Sequence, residues 1–189
     1  MDFRTFFYHI ITSCCGEIGL IWSICNGKAM VEEILLPRED KAMKMAIAEI
    51  RPESKCVKGQ SVPDVAAKIA AYLQGKPVFF SLNDLGRDNL GAGFRKDVLL
   101  RTLSIPRGMV DTYGGLALKT GYPRAARAVG TVMAQNPFPL VIPCHRVLRS
   151  DGKTGCYGGG AEMKRKLLAM EGVTFDRTGR VAGMHICRL

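Results

Sequence analysis

Short apolar runs alternate with turn-forming residues in the first half of the chain. The β-prone runs are Phe3–Ser13, Leu20–Cys25 and Val31–Leu36. Asn26 and Gly27 separate the last two runs, and an Asn-Gly pair between apolar runs is typical of a tight hairpin turn. The pattern therefore predicts a small antiparallel sheet.

Helical periodicity follows the predicted sheet. Charged residues begin a predicted helix over about Glu39–Ile50, and a clearer amphipathic pattern covers Asp64–Gln74. Pro63 suits the first turn of this second helix, and Gly75 ends it. The first half is therefore predicted to be a sheet with helices.

A change in composition predicts a domain boundary. The segment Asn83–Gly93 is rich in glycine, asparagine and aspartate, which is typical of a linker. Residues 1–92 would then form a supporting domain, and residues 93–189 a mostly helical second domain. The predicted fold class is α/β, of the α+β kind.

Two short helices in the second half resemble a helix-turn-helix. Thr112 is placed to cap a helix over Tyr113–Lys119, and Pro123 suits the first position of another over Arg124–Gln135. A glycine-containing break joins them, as in helix-turn-helix motifs. An earlier amphipathic helix is predicted over Phe94–Leu103.

The composition favours a folded protein with a polyanionic partner. Hydrophobic residues make up 47% of the 189 residues, and 27 basic residues against 17 acidic ones give a net charge of +10. Such an excess favours nucleic acid or an anionic membrane surface. No apolar run approaches the roughly 20 residues of a membrane-spanning helix. We interpret the apolar N-terminus as a retained strand rather than a signal peptide, so the seven cysteines are expected to be thiols in a reducing compartment.

The second helix of the pair has an almost bare surface. Ala126, Ala128 and Gly130 surround a single long cation, Arg127. Such a face allows another surface to come close. On sequence alone, tight packing against a neighbouring helix with Arg127 solvated is the favoured interpretation.

The run Pro139–Val147 carries the candidate chemistry. An apolar, strand-like stretch leads to Cys144, which is followed by His145 and Arg146. A thiol attacks as its thiolate, so an imidazole and basic neighbours would raise the reactive fraction. Successive side chains of a strand point to opposite faces, so the Cys-His pair would need a bend or a bridging water. Glu171, at the end of a predicted helix, is the favoured carboxylate for orienting the imidazole. By itself the Cys-His dipeptide is weak evidence for a catalytic nucleophile, because most cysteines after apolar runs are inert core residues.

A series of motifs in a fixed order is far more specific. They are Ile105-Pro106-Arg107-Gly108, Thr112-Tyr113-Gly114, Ala125-Ala126-Arg127-Ala128-Val129-Gly130, Asn136-Pro137-Phe138-Pro139, Pro143-Cys144-His145-Arg146-Val147, Gly155-Cys156-Tyr157-Gly158-Gly159-Gly160 and Lys164 to Glu171-Gly172. The chain thereby resembles the O6-alkylguanine-DNA alkyltransferase family. The likeness covers about Phe94–Val181, whereas the first half resembles the family only in layout.

The resemblance implies a set of catalytic roles. Cys144 matches the alkyl acceptor, His145 the base that acts through a water, and Glu171 the carboxylate that holds it. Asn136 matches the hinge between the DNA-reading helix and the active-site segment. Tyr113 matches the proton donor to the departing guanine.

It also implies two binding surfaces. Arg127 matches the finger that fills the place of an extruded base. The implied DNA contacts are Thr112, Tyr113, Gly114, Ala126, Arg127, Ala128 and Gly130. The implied alkylguanine contacts are Tyr113, Met133, Val147, Tyr157, Gly158 and Lys164. Gly158 stands where the family often has serine, which removes one hydrogen bond to the base and opens the pocket.

The implied function is DNA repair by direct reversal. The alkyl group of O6-alkylguanine, and of O4-alkylthymine, would pass irreversibly to Cys144, with base flipping and minor-groove binding by the helix-turn-helix. The expected partner is double-stranded DNA carrying the lesion. We expect a monomer with no cofactor, no membrane and no obligate protein partner, in the cytoplasm at the nucleoid, or in the nucleus of a eukaryote. The alternatives are a non-catalytic module that binds alkylated DNA, and a cysteine hydrolase.

A histidine and three cysteines in the first half raise the question of a metal site. His9, Cys14, Cys15 and Cys25 could in principle gather around zinc. Their spacing is not that of a zinc finger or knuckle. We therefore predict no metal and interpret these cysteines as buried thiols on strands.

Overall fold

The computed structural model describes residues 4–59 and 62–187. The chain divides into two compact units between Asn89 and Leu90, inside the segment where the composition changes. The assignment of separate roles to residues 1–92 and 93–189 stays a prediction. Within the described ranges, no helix is both long enough and apolar enough to cross a membrane.

The first unit contains a four-stranded sheet. Its strands are β1 (Phe6–Ser13), β2 (Gly16–Cys25), β3 (Lys28–Leu35) and β4 (Lys55–Cys56), in the order β3-β2-β1-β4. The first three strands pair antiparallel, as predicted. Asn26 and Gly27 both have positive φ angles, 50° and 75°, which the tight turn requires. The predicted first strand began at Phe3, which lies outside the described residues.

Two features of the first unit differ from the prediction. The short strand β4 adds a parallel edge beside β1. Helix α1 covers Met43–Ile50 rather than starting at Glu39, because Ala42 is extended, with a ψ of 141°. Helix α2 covers Asp64–Leu73 and is followed by Gly75 with a φ of 83°, close to the prediction.

The second unit is mostly helical. Its helices are α3 (Gly93–Leu103), α4 (Tyr113–Lys119), α5 (Ala126–Ala134) and α6 (Gly160–Met170), and a small parallel sheet joins β5 (Asp111–Thr112) to β6 (Val147–Leu148). The predicted cap is confirmed, because the Thr112 hydroxyl oxygen accepts a hydrogen bond from the Gly115 N–H at 2.9 Å. Helices α4 and α5 form the predicted helix pair.

The start of α5 is a correction. The helix begins at Ala126 instead of Arg124, and Pro123 lies in the preceding turn. The Tyr122 ring packs edge-on against Phe94 of α3, with ring centroids 4.9 Å apart. The Ala125 N–H donates to the Tyr122 carbonyl at 2.9 Å. These contacts hold a turn where the sequence pattern predicted the first helical residues.

Candidate active site

Cys144 lies on a bent segment instead of a strand. The expected strand over Pro139–Val147 is wrong: residues 139–142 form a tight turn in which Leu140 has a φ of 74°. Cys144–Arg146 then form one turn of 3-10 helix. Two prolines, Pro139 and Pro143, remove N–H groups that strand pairing would need. The turn provides the bend that an adjacent Cys-His pair was expected to require.

Asn136 holds this bent segment in place. Its amide nitrogen donates to the Ile142 carbonyl at 2.8 Å, and its amide oxygen accepts from the Phe138 N–H at 3.0 Å. The Asn136 side chain also favours the ionised form of the Cys144 thiol, whose pKa it lowers. Asn136 therefore connects the end of α5 to the sulfur and to the backbone just before it.

Burial dominates the electrostatics of Cys144. The residue is only 6% exposed. Burial raises the pKa of the thiol, while the Asn136 hydrogen bond and the Lys164 charge oppose the rise. Neighbouring groups therefore do increase the ionised fraction of the thiol, but burial outweighs them in the resting site. The nearby cation is also Lys164 rather than Arg146.

A buried carboxylate holds the imidazole next to Cys144. The side chains of His145 and Glu171 are both fully buried, with His145 Nε2 3.1 Å from Glu171 Oε1. Burial lowers the pKa of His145, so the imidazole is neutral at neutral pH. A neutral ring that donates Nε2–H to the carboxylate leaves Nδ1 as its proton-accepting atom.

Arg146 completes the arrangement around Glu171. Its Nη2 lies 2.6 Å from Glu171 Oε1 and its Nε 2.9 Å from Oε2, while Nη1 donates to the Ile105 carbonyl at 2.6 Å. Burial disfavours a charged carboxylate, but hydrogen bonds from His145 and Arg146, with their charges, hold the pKa of Glu171 well below its usual range. Glu171 is therefore ionised, and Arg146 forms an ion pair with it rather than with the thiol.

Lys164 is a fully buried cation on α6. Its Nζ donates to the Val147 carbonyl at 2.7 Å. Burial lowers the pKa of Lys164 to about 8, against the opposing effects of Cys144 and Cys156. The ammonium is thus mostly charged at neutral pH and lowers the pKa of the Cys144 thiol.

The glycine-rich segment borders the same site. A Cβ added to Gly155 would lie 3.9 Å from the Tyr113 hydroxyl. The Tyr157 ring meets the His145 ring edge-on, with centroids 6.4 Å apart. Burial raises the pKa of Tyr113, with further contributions from Cys144 and Cys156. The phenol is therefore protonated and able to donate.

The remaining predicted pocket residues differ in exposure. Val147 is fully buried and Met133 is 8% exposed, whereas Gly158 is exposed. Cys156 was not among the predicted site residues, yet it contributes to the raised pKa of Tyr113 and opposes the fall in the pKa of Lys164. Its place inside the glycine-rich segment was the signal that could have identified it.

The bare surface of α5 faces outward. Arg127 and Ala128 are exposed and Ala126 is half-buried. Apart from its two chain neighbours and the backbone of α5 itself, no described atom lies within 4 Å of a Cβ added to Gly130. The buried residues Val129, Val132 and Met133 lie on its other side. Tight packing of the bare face against a neighbouring helix, the interpretation favoured by sequence alone, is therefore wrong. Thr112 and Gly114, both half-buried, lie at the start of α4.

The cysteines of the first unit are not gathered around a metal. Within residues 4–59 and 62–187, no three His, Cys, Asp or Glu side chains are placed to hold an ion. The seven cysteines of the chain are thiols rather than disulfides. Cys14 and Cys25 are exposed and Cys15 is half-buried, so the expectation of buried thiols on strands is wrong for these three. His9 Nδ1 lies 3.2 Å from the Val57 carbonyl oxygen.

Comparison with known proteins defines the class. The sequence profile of the 6-O-methylguanine DNA methyltransferase, DNA binding domain, matches residues 93–173. A methylated-DNA–protein-cysteine methyltransferase of Methanothermobacter thermautotrophicus is 40% identical over 162 residues, which are 85% of this chain and 82% of the relative. The chain belongs to the methylated-DNA–protein-cysteine methyltransferase family.

Solved structures agree with this assignment. The crystal structure of the Mycobacterium tuberculosis O6-methylguanine methyltransferase has a TM-score of 0.69 at 30% identity, covering 88% of this chain and 93% of that one. The M. tuberculosis OGT in complex with DNA has a TM-score of 0.67 at 30% identity, covering 87% and 91%. The similarity therefore extends over both units.

Proposed function

We propose that this protein repairs DNA by moving the alkyl group of O6-alkylguanine onto the sulfur of Cys144. The observation that carries the proposal is the buried imidazole of His145, which contacts Glu171 and directly follows Cys144 on the same 3-10 turn. The name of the M. thermautotrophicus relative, a methylated-DNA–protein-cysteine methyltransferase, supports the same reaction.

The first step is removal of the thiol proton. A buried thiol with a raised pKa needs a base, and the Nδ1 atom of neutral His145 is suited to this task through a bridging water. Glu171 stabilises the imidazolium that forms. The Asn136 hydrogen bond and the Lys164 ammonium stabilise the new thiolate.

The second step is displacement at a saturated carbon. The Cys144 sulfur forms a bond to the alkyl carbon as the bond from that carbon to guanine O6 breaks. The departing guanine takes a proton from the Tyr113 hydroxyl. The proton that His145 took from the thiol then returns through water to the Tyr113 phenolate, so the net change is one proton moved from the thiol to the guanine. The reaction passes through no tetrahedral acyl intermediate, so it needs no oxyanion hole. The thioether product resists water, so each molecule acts once.

Access to the lesion requires an extruded nucleotide. The O6 atom is buried in stacked DNA, and flipping a base costs a few kcal/mol. The exposed Arg127 on the open face of α5 is suited to fill the vacant place and offset part of that cost. The net charge of +10 favours the phosphate backbone. The DNA complex of the M. tuberculosis relative supports duplex binding.

The finer parts of the proposal concern lesion range and assembly. O4-alkylthymine would be a second substrate, and the protein would act as a monomer wherever the cell holds its DNA, in the cytoplasm or the nucleus. The exposed Gly158 adds no side chain to the pocket. We therefore propose that bulky alkyl groups are accepted.

The test is intact-mass analysis after mixing with a duplex that contains O6-methylguanine. We expect one methyl group per protein, on the peptide that carries Cys144. Cys156→Ala is the matched control, because it removes the exposed thiol beside the site and should still become methylated. Binding of the lesion with no mass change would reject alkyl transfer and leave the non-catalytic binding module.

A further inference from the structure

Two cysteines occupy the tip of the β1–β2 hairpin. Ser13 pairs with Gly16, so Cys14 and Cys15 are the two central residues of the turn. The Ser13 hydroxyl donates to the Gly16 carbonyl at 2.8 Å and accepts from the Cys15 N–H at 3.1 Å, and Gly16 has a φ of 97°. Ser13 and Gly16 therefore supply the polar and left-handed residues that such a turn needs. The turn itself gives no reason for two thiols.

Core packing gives no reason for them either. Cysteine is among the most buried residue types, yet Cys14 is exposed and Cys15 only half-buried. Side chains at this tip are thus accessible to small molecules.

The two sulfur atoms lie side by side. The Cys14 and Cys15 Sγ atoms are 3.9 Å apart. The Cys14 thiol also donates to the carbonyl of Leu73, the last residue of α2, at 3.4 Å. This contact restrains one thiol next to the other, which lowers the entropy lost when a single ligand binds both.

The number of sulfur ligands at this tip limits which thiol-binding groups the site can hold. A structural zinc ion takes four ligands, and the described residues offer no cluster of three His, Cys, Asp or Glu side chains. Arsenite, which forms up to three arsenic–sulfur bonds, would also lack one sulfur. A trivalent arsenic that already carries one carbon substituent needs two sulfurs. We propose that Cys14 and Cys15 form a binding site for monosubstituted trivalent organoarsenicals.

The binding reaction balances without an oxidant. Two S–H bonds break and two As–S bonds form, while the oxygen of R–As=O leaves with both protons as water. Arsenic stays trivalent and neither sulfur is oxidised. The site lies in the first unit, away from the residues of alkyl transfer along the chain, and it does not depend on the proposed function.

The experiment uses one equivalent of phenylarsine oxide on the full-length protein. We expect the mass of one phenylarsenic group less two hydrogens, the loss of two titratable thiols, and the adduct on the peptide with Cys14 and Cys15. Release should need a dithiol, because a monothiol cannot chelate the arsenic. Cys14→Ser and Cys15→Ser should each weaken binding by about 10²-fold or more, since the second As–S bond is no longer intramolecular.

Cys25→Ser is the matched control, because Cys25 is an exposed cysteine at the other end of β2. It should bind like the wild type. An adduct on Cys144 or Cys156, or equal binding by wild type and Cys14→Ser, would overturn the proposal. The methylation assay on Cys14→Ser should match the wild type, which keeps a failure of this site separate from a failure of alkyl transfer.

Discussion

Replacing Glu171 by glutamine tests the centre of the site with almost no change in shape. The carboxylate accepts from His145 Nε2 at 3.1 Å, and from Arg146 Nε and Nη2 at 2.9 and 2.6 Å. A glutamine amide has one acceptor oxygen, and its NH2 group would face donors. Oε1 accepts from both His145 Nε2 and Arg146 Nη2. A glutamine with its amide nitrogen at this position would leave both donors without that acceptor. The opposite orientation would place the NH2 group against Arg146 Nε, which donates to Oε2.

The magnitude follows from the burial of the carboxylate. Its side chain is fully buried and that of Arg146 is 12% exposed, and removing one partner of a buried ion pair costs about 3–5 kcal/mol. We expect the lower end, because the guanidinium keeps some water and its bond to Ile105. Loss of the oriented base should slow alkyl transfer by about 10²–10⁴-fold.

The effect on stability has a defined pH dependence. The folded pKa of Glu171 is depressed, so its contribution is fully present above the ordinary value of 4.5 and is lost as pH falls towards the folded pKa. In Glu171→Gln this contribution is absent at every pH. The difference in unfolding free energy between the two proteins should therefore shrink as the solution becomes acidic.

The assays are denaturant unfolding at several pH values and single-turnover reaction with O6-benzylguanine, at a temperature where circular dichroism shows both proteins folded. Glu162→Gln is the matched control, since Glu162 lies on α6, the helix that ends just before Glu171, with its side chain 75% exposed. The reasoning is refuted if Glu171→Gln reacts at the wild-type rate, or if Glu162→Gln has an equal effect.

Three further predictions concern the second unit. Lys119→Met should destabilise the protein by about 3–5 kcal/mol, because Lys119 Nζ lies 2.8 Å from a buried Asp111 carboxylate oxygen. Thermal unfolding measures this loss, and an unfolding free energy close to that of the wild type would contradict it. The double variant Asp111→Leu with Lys119→Met should recover much of the loss, because it leaves no unpaired buried charge. Arg127→Ala should slow repair of duplex DNA more than reaction with free O6-benzylguanine, which needs no base flipping; equal losses in the two rate assays argue against the finger role. Lys164→Met removes a charge that lowers the pKa of Cys144. When the rate of alkyl transfer is plotted against pH, its rising limb should therefore move to higher pH. An unchanged pH profile argues against electrostatic stabilisation of the thiolate by Lys164.

Local signals made much of the fold predictable. The Asn26-Gly27 turn and the Thr112 cap depend on neighbouring residues alone, and both occur as predicted. The positions of Cys144, His145 and Glu171 came from the order of motifs along the chain. The structure places the last two in direct contact.

Features that depend on tertiary packing escaped sequence reasoning. Whether Cys144 gains or loses acidity depends on how completely the fold removes it from water, which no adjacent residue reveals. Arg146 lies two residues after Cys144 but pairs with Glu171. Lys164, twenty positions from Cys144, supplies the charge that lowers the pKa of its thiol. The strand prediction for Pro139–Val147 followed hydrophobicity and gave too little weight to its prolines.

Gly130 in the middle of α5 has a consequence for how this protein would respond to stabilising engineering. Glycine inside a helix is less stable than alanine by roughly 0.5–1 kcal/mol. Among the described residues, no atom outside the α5 backbone and the two chain neighbours of Gly130 lies within 4 Å of the missing Cβ, so alanine fits here. A screen for heat resistance alone would therefore select alanine here. If the open face of α5 binds DNA, the selected protein would be more stable to heat but would bind DNA less tightly.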